Sequence, residues 1–191
     1  MTTMTSSLAA TVASLRQRLS RCVRDERGVS AVEFALLLPL MVTLYLGGVE
    51  VSQGLTLDRK VTLVARTVAD LAAQSTSITS SEMTNILDAS TAVMLPYSTT
   101  KAKVVVSQVS IDSNGKATIS WSATKNGTAR SSGSTVTLPA ALNVADSSLI
   151  WAEVSYDYSP VIGYVITGTM TLSDQIYMRP RLSDSVTYPS S

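Results

Sequence analysis

From Val29 to Val49 the chain runs 21 residues with Glu33 as its only charged side chain. No other feature narrows the fold so far, because a helix of that length spans about 30 Å, the thickness of a bilayer's hydrocarbon core. It is the single transmembrane candidate in the sequence. Pro39 inside the run removes one helical hydrogen bond, which predicts a bent but continuous helix. Gly47 and Gly48 are adjacent rather than in GxxxG spacing, and read equally as a loosened helix end.

Charge orients this segment. Residues 1 to 28 carry five Arg against Asp25 and Glu26, whereas the remainder has a slight excess of acids, and the total is +1. Positive charge ahead of an apolar helix places that end in the cytoplasm and the following domain in the periplasm or outside the cell. The chain has no histidine, and its one cysteine, Cys22, lies in the basic leader. Intrachain disulfides, His or Cys metal clusters and His-dependent nucleophile arrangements are therefore excluded. No glycine-rich phosphate loop is present. No cofactor, nucleic acid or small-molecule substrate is expected, and neither is enzymatic activity; Glu153 and Asp157, four apart on one predicted strand face, read as a solvated face.

Beyond Glu50 the pattern turns amphipathic, with Leu57, Val61, Val64, Val68 and Leu71 on one stripe, so the helix is expected to continue to about Ala73 and stop at QSTSITSS. Thr79 and Glu82 stand in capping-box spacing ahead of Met83, Ile86, Leu87, Ser90 and Val93, predicting a second short helix that ends before Pro96. KVVVSQVSI and ATISWSA flank DSNGK, a hairpin signal. Asp112 and Asn114 there lack the further ligands of a calcium loop. NGTARSSGST reads as a loop, its Asn126-Gly127-Thr128 triplet matching a glycosylation sequon. SLIWAEVSYDYSP alternates Ile150, Ala152, Val154, Tyr156 and Tyr158 with Trp151, Glu153, Ser155 and Asp157, and TGTMTLSDQIYM supplies a fourth strand. The expected fold is α+β: a long N-terminal helix, transmembrane then amphipathic, a second short helix and an antiparallel sheet of about four strands. Its divisions are a basic leader (1–28), a transmembrane helix (29–50), an amphipathic helix (51–75) and an α+β domain (76–191).

A carboxylate at the start of a membrane helix costs about 2–3 kcal/mol if left unpaired. Glu33 can reach headgroup water and gain from the helix macrodipole. The whole arrangement supports a sharper reading: a basic leader, Arg27-Gly28, Val29 as a new first residue, Glu33 as the fifth, Phe34 as the sixth, and an apolar helix. It resembles a class III prepilin peptidase site of the type IV pilin superfamily, as in Flp (tight adherence) pilin-like proteins. ERGVSAVEFALLLPLMVTLYLGGVEV, WAEVSYDYSPVIGY and IYMRPR together resemble TadE-like pilus assembly proteins.

That resemblance implies a pilin-like fold, cleavage between Gly28 and Val29, and an assembly charge pair between the new Val29 ammonium and Glu33 of a neighbouring subunit. The implied partners are prepilin peptidase, other pilin-like subunits and the Tad secretion machinery, in the bacterial inner membrane. The implied role is that of a pseudopilin or minor pilin. Major Flp pilins are far shorter and carry Glu-Tyr where this chain has Glu33-Phe34, which argues against the bulk filament subunit.

Two other readings compete. A secretory signal peptide shares the basic and apolar regions, but no convincing Ala-x-Ala site follows the helix. A membrane-anchored binding module or adhesin, not processed as a pilin, would use Trp121, Trp151, Tyr156, Tyr158 and Tyr164 as a surface, although aromatics at alternating strand positions are more often core.

Overall fold

The computed structural model describes residues 26–160, 163 and 168–189, with Glu26 and Arg27 described by their backbone alone. Most of the expected leader, including Cys22, and Tyr164 lie outside the described residues. The chain divides between Val49 and Glu50 into two units.

In the first unit every described residue belongs to helix α1, which runs Glu26–Ala73. In this part of the helix Val29, Phe34, Leu36, Leu40, Met41 and Leu44 are all more than half exposed. Among the described residues this is the one helix long and apolar enough to cross a membrane. The helix continues through Pro39. Four residues on, the Thr43 hydroxyl donates to the Pro39 carbonyl at 2.8 Å, so that hydroxyl is satisfied within the helix.

The second unit contains the rest of α1, helix α2 (Ser80–Ala92), a 3₁₀ turn (Thr99–Lys101) and strands β1 (Ala102–Ile111), β2 (Ala117–Lys125), β3 (Ser147–Tyr158) and β4 (Met170–Met178). The strands form one antiparallel sheet in the order β2-β1-β3-β4. The α+β expectation holds, including the end of α1 at Ala73.

One face of the sheet packs on α1. Leu57, Val61, Val64 and Val68 are fully buried in a cluster with Val104, Val106, Ile150, Ala152, Val154, Tyr156 and Tyr158. Leu71 departs from the expected stripe: it is only half-buried, and Ala72 and Ala73 take the core positions. A strict alternation of steps of three and four has a period of 3.5, and a 3.6-residue helix drifts from it by ~20° per heptad.

Helix α2 begins with the expected capping box. The Thr79 hydroxyl accepts the Glu82 N–H at 3.3 Å, and the Glu82 carboxylate accepts the Thr79 N–H at 2.8 Å. Just beyond its other end, Lys60 from α1 donates to the carbonyls of Val93 and Leu95, each at 2.8 Å. A cation there also suits the negative end of the helix dipole.

The β1–β2 hairpin closes through Asp112, whose carbonyl accepts the Gly115 N–H at 3.0 Å while Gly115 adopts φ +79°. Only glycine takes that conformation freely. Along β2 the register shifts between Gln108 and Val109 of the partner strand, leaving Ser120 as a bulge. Ala117 and Ile119 therefore face away from α1, whereas Trp121 and Ala123 face it.

The sheet consequently has a second buried cluster on its far side, which the sequence reading did not foresee. Val109, Ile111, Ala117, Ile119, Leu149 and Trp151 lie there under Val136, Leu138 and Leu142 of the β2–β3 connection. That connection also covers the outer edge of β2, since Ile119 N–H donates to Ser134 at 2.9 Å and Val136 N–H to Ala117 at 3.0 Å.

After β4 the chain returns to the α1 side. Arg181 N–H donates to the last α1 carbonyl, Ala73, at 2.8 Å, and Ile78 N–H donates to Thr187 at 2.9 Å. Val186 is buried in the main core.

Candidate processing and assembly site

The four residues singled out at the start of α1 lie in consecutive turns. Gly28, Val29, Glu33 and Phe34 are all helical and exposed. Their helicity follows from the run of Ala and Leu that continues behind them, residues with high helical propensity. Val29 and Glu33 are four residues apart, hence on the same side of the helix and separated by about 6 Å along its axis. Among the described residues no side chain pairs with the Glu33 carboxylate. In the uncleaved chain the Val29 nitrogen is a peptide nitrogen without charge, so the charge pair inferred from the sequence does not exist within this single, intact molecule. Hydrolysis of the bond before it is what would make that nitrogen a cation.

Gly28 has ordinary helical backbone angles, and a Cβ built on it would meet nothing within 4 Å. Neither the local conformation nor packing requires a glycine there.

Elsewhere, the positions considered for other chemistry are occupied by structural duties. Trp121, Trp151, Tyr156 and Tyr158 are buried. Trp121 packs against Tyr188 at 5.2 Å and donates its indole N–H to the Val186 carbonyl at 2.7 Å. They do not form the exposed aromatic surface that the adhesin reading needs. Asp112 accepts the backbone N–H groups of Asn114 and Lys116 at 2.9 and 2.8 Å, which makes it a turn residue. Asn126, at φ +57°, donates its amide to the carbonyls of Thr99 and Ala102 at 3.2 and 3.0 Å. No cluster of three or more His, Cys, Asp or Glu able to hold a metal occurs among the described residues.

Glu153 and Asp157 share the far face of the sheet, as their spacing requires, but each is separately paired. Glu153 receives a two-pronged contact from Arg130, Nε and Nη2 each at 2.7 Å. Asp157 accepts from Lys103 at 2.8 Å and Thr171 at 2.9 Å. These contacts, Lys103 foremost, hold the Asp157 carboxyl below its ordinary pKa. Glu153, chiefly through its hydrogen bond, likewise raises the already high pKa of Arg130. The Arg130 guanidinium lies 4.0 Å over the Trp151 ring, which stacks on Tyr177 at 5.4 Å. Beside this stack runs an open polar groove of about 770 Å³ lined by Lys103, Thr128, Arg130, Glu153, Ser155 and Gln175. Sequence reasoning missed the groove, because Arg130 lies in a stretch read only as loop and meets Glu153 across 23 residues.

No curated protein and no solved structure matches the chain. Residues 28–70, from Gly28 to the acid near the end of α1, match the model of the TadE-like protein family, so the similarity lies in this helix.

Proposed function

We propose that this is a pseudopilin or minor pilin that takes part in assembling Flp-type (Tad) pili, cut by prepilin peptidase between Gly28 and Val29. The reading rests on a single juxtaposition: a TadE-like helix whose first half is apolar and exposed, with Glu33 one turn beyond the bond to be cut. In the membrane the basic leader lies in the cytoplasm and the α+β domain in the periplasm. Cleavage gives Val29 an ammonium group. Glu33 of one subunit then pairs with that cation on the next, in a medium where an unpaired charge is costly. Like helices replace lipid around one another, so tight packing and the charge pair drive assembly. The protein carries no catalytic chemistry of its own, and its partners are the peptidase, other pilin-like subunits and the Tad machinery.

The mature N-terminus tests this. Intact mass and N-terminal sequencing of protein recovered from piliated cells are expected to give Val29. A start at Met1, or between residues 50 and 55 as signal-peptide removal would leave, overturns the assignment. Glu33→Ala is expected to insert into the membrane at the normal level yet fail to support piliation. Normal pili from that variant would remove the charge-pair role.

A further inference from the structure

We infer that processing is limited by local opening of α1 around the Gly28–Val29 bond, and that Gly28 sets the processing rate by weakening the helix there. The inference rests on the cleavage site proposed above. Among the described residues helix α1 already includes Glu26 and Arg27 ahead of Gly28, so the Gly28–Val29 peptide bond lies within helical backbone in the uncut protein. In an α-helix the carbonyl of residue i accepts the N–H of residue i+4, which engages the Gly28 carbonyl with Val32 and directs it along the axis. Hydrolysis requires water to add to that carbonyl carbon. The C–N bond to Val29 then breaks, leaving a carboxylate on Gly28 and a protonated amine on Val29. A peptidase cannot bring its catalytic groups to this carbonyl while the helix closes over it.

The segment is built to open. Gly28, Val29 and Ser30 are exposed, so opening costs little packing against the described residues. All three are poorer helix formers than the Ala and Leu residues that follow, glycine most of all. Since a Cβ at position 28 would meet nothing, the folded protein gives no reason for the glycine; the opened state does. When opening and closing are fast relative to cutting, the rate of proteolysis follows the equilibrium population of the open form. Replacing glycine by alanine within a helix shifts that equilibrium about fivefold toward closed.

The test separates helix opening from simple fit in the peptidase. Full-length protein in membranes containing its prepilin peptidase is followed by intact mass over time, as wild type, Gly28→Ala, Ala31→Gly and the double variant. Gly28→Ala is expected to slow formation of the Val29 product about fivefold, Ala31→Gly to speed it by a similar factor, and the double variant to return near the wild-type rate. In the uncut proteins, amide exchange at Val32 and Glu33 should slow in the first variant and quicken in the second. A double variant as slow as Gly28→Ala, with Ala31→Gly unchanged from wild type, would mean that an alanine side chain merely clashes in the peptidase, and would overturn this inference alone. Absence of a Val29 product from wild type would overturn the cleavage assignment with it.

Discussion

The peptide unit of Val186 is clamped by two side chains from neighbouring strands. Its N–H donates to the Gln108 carboxamide oxygen at 2.6 Å, and its carbonyl accepts the Trp121 indole N–H at 2.7 Å. Both partners are buried, so neither bond can be replaced by water. Gln108→Leu keeps most of the volume and leaves a buried N–H unsatisfied, which should cost about 1–3 kcal/mol. Chemical denaturation of the two proteins in the same detergent, followed by tryptophan fluorescence, measures the difference; equal midpoints would show that the N–H finds another acceptor. In KVVVSQVSI the glutamine looks like an ordinary polar residue on an alternating strand. Its partner lies 78 residues away, beyond the reach of any local pattern. Gly28, Val29, Glu33 and Phe34 are the opposite case. They fall within seven consecutive residues, and their relation needs only the geometry of one helix to be read.

At the level of single elements, the helices were legible because their signals are local. Thr79 and Glu82 announce the start of α2 by a spacing of three, and both bonds of the box form. The β2 strand was harder. ATISWSA alternates without a break, which on a regular strand would put Ala117, Ile119, Trp121 and Ala123 on one face. Ser120 divides them between two faces, and nothing in its identity announces a bulge. Its role depends on pairing with β1, where Ser120 and Ser110 share a hydrogen bond at 2.6 Å. Deleting Ser120 should therefore be more damaging than its small side chain implies. Without it, either Ala117 and Ile119 or Trp121 and Ala123 must turn to the wrong face. The expected outcome is loss of cooperative unfolding together with exposure of a tryptophan. A deletion protein with native fluorescence and an unchanged unfolding midpoint would show that the register recovers by another route. Leu71 illustrates the milder error, in which a pattern correct for several turns slides off the core by a fraction of a turn.

Across the folded domain, the main core was foreseen and the second was not. Alternation in β3 marks the face toward α1, but Leu149 and Trp151 are buried on the other because the β2–β3 connection lies over them. The same nonlocal cover creates the Arg130–Glu153 contact and the polar groove. Acid stability of the domain is also a property of the whole. Bonds to the Thr79 backbone and hydroxyl lower the Glu82 pKa, and Lys103 lowers that of Asp157. With folded pKa values below unfolded ones, the unfolded chain binds more protons as pH falls. The stabilisation from these two groups is present above the ordinary carboxylate range near 4 and is lost as pH falls through their lower folded values. Glu82→Gln combined with Lys103→Met should flatten the decline in stability below about pH 4.5. Stability measured against pH, by thermal unfolding in one detergent, checks this; an unchanged slope would assign acid sensitivity to other carboxyls.

The strand-to-helix return after β4 carries a consequence for biogenesis. Arg181 closes the end of α1, Val186 fills the main core and Thr187 pairs beside Ser77. A segment that begins 111 residues downstream of Asp70 is therefore required to seal the domain around α1. The domain cannot finish folding until residues 181–187 have been made and have reached the compartment that holds α1, so a chain bound for the far side of a bilayer stays transportable at least until that segment has crossed.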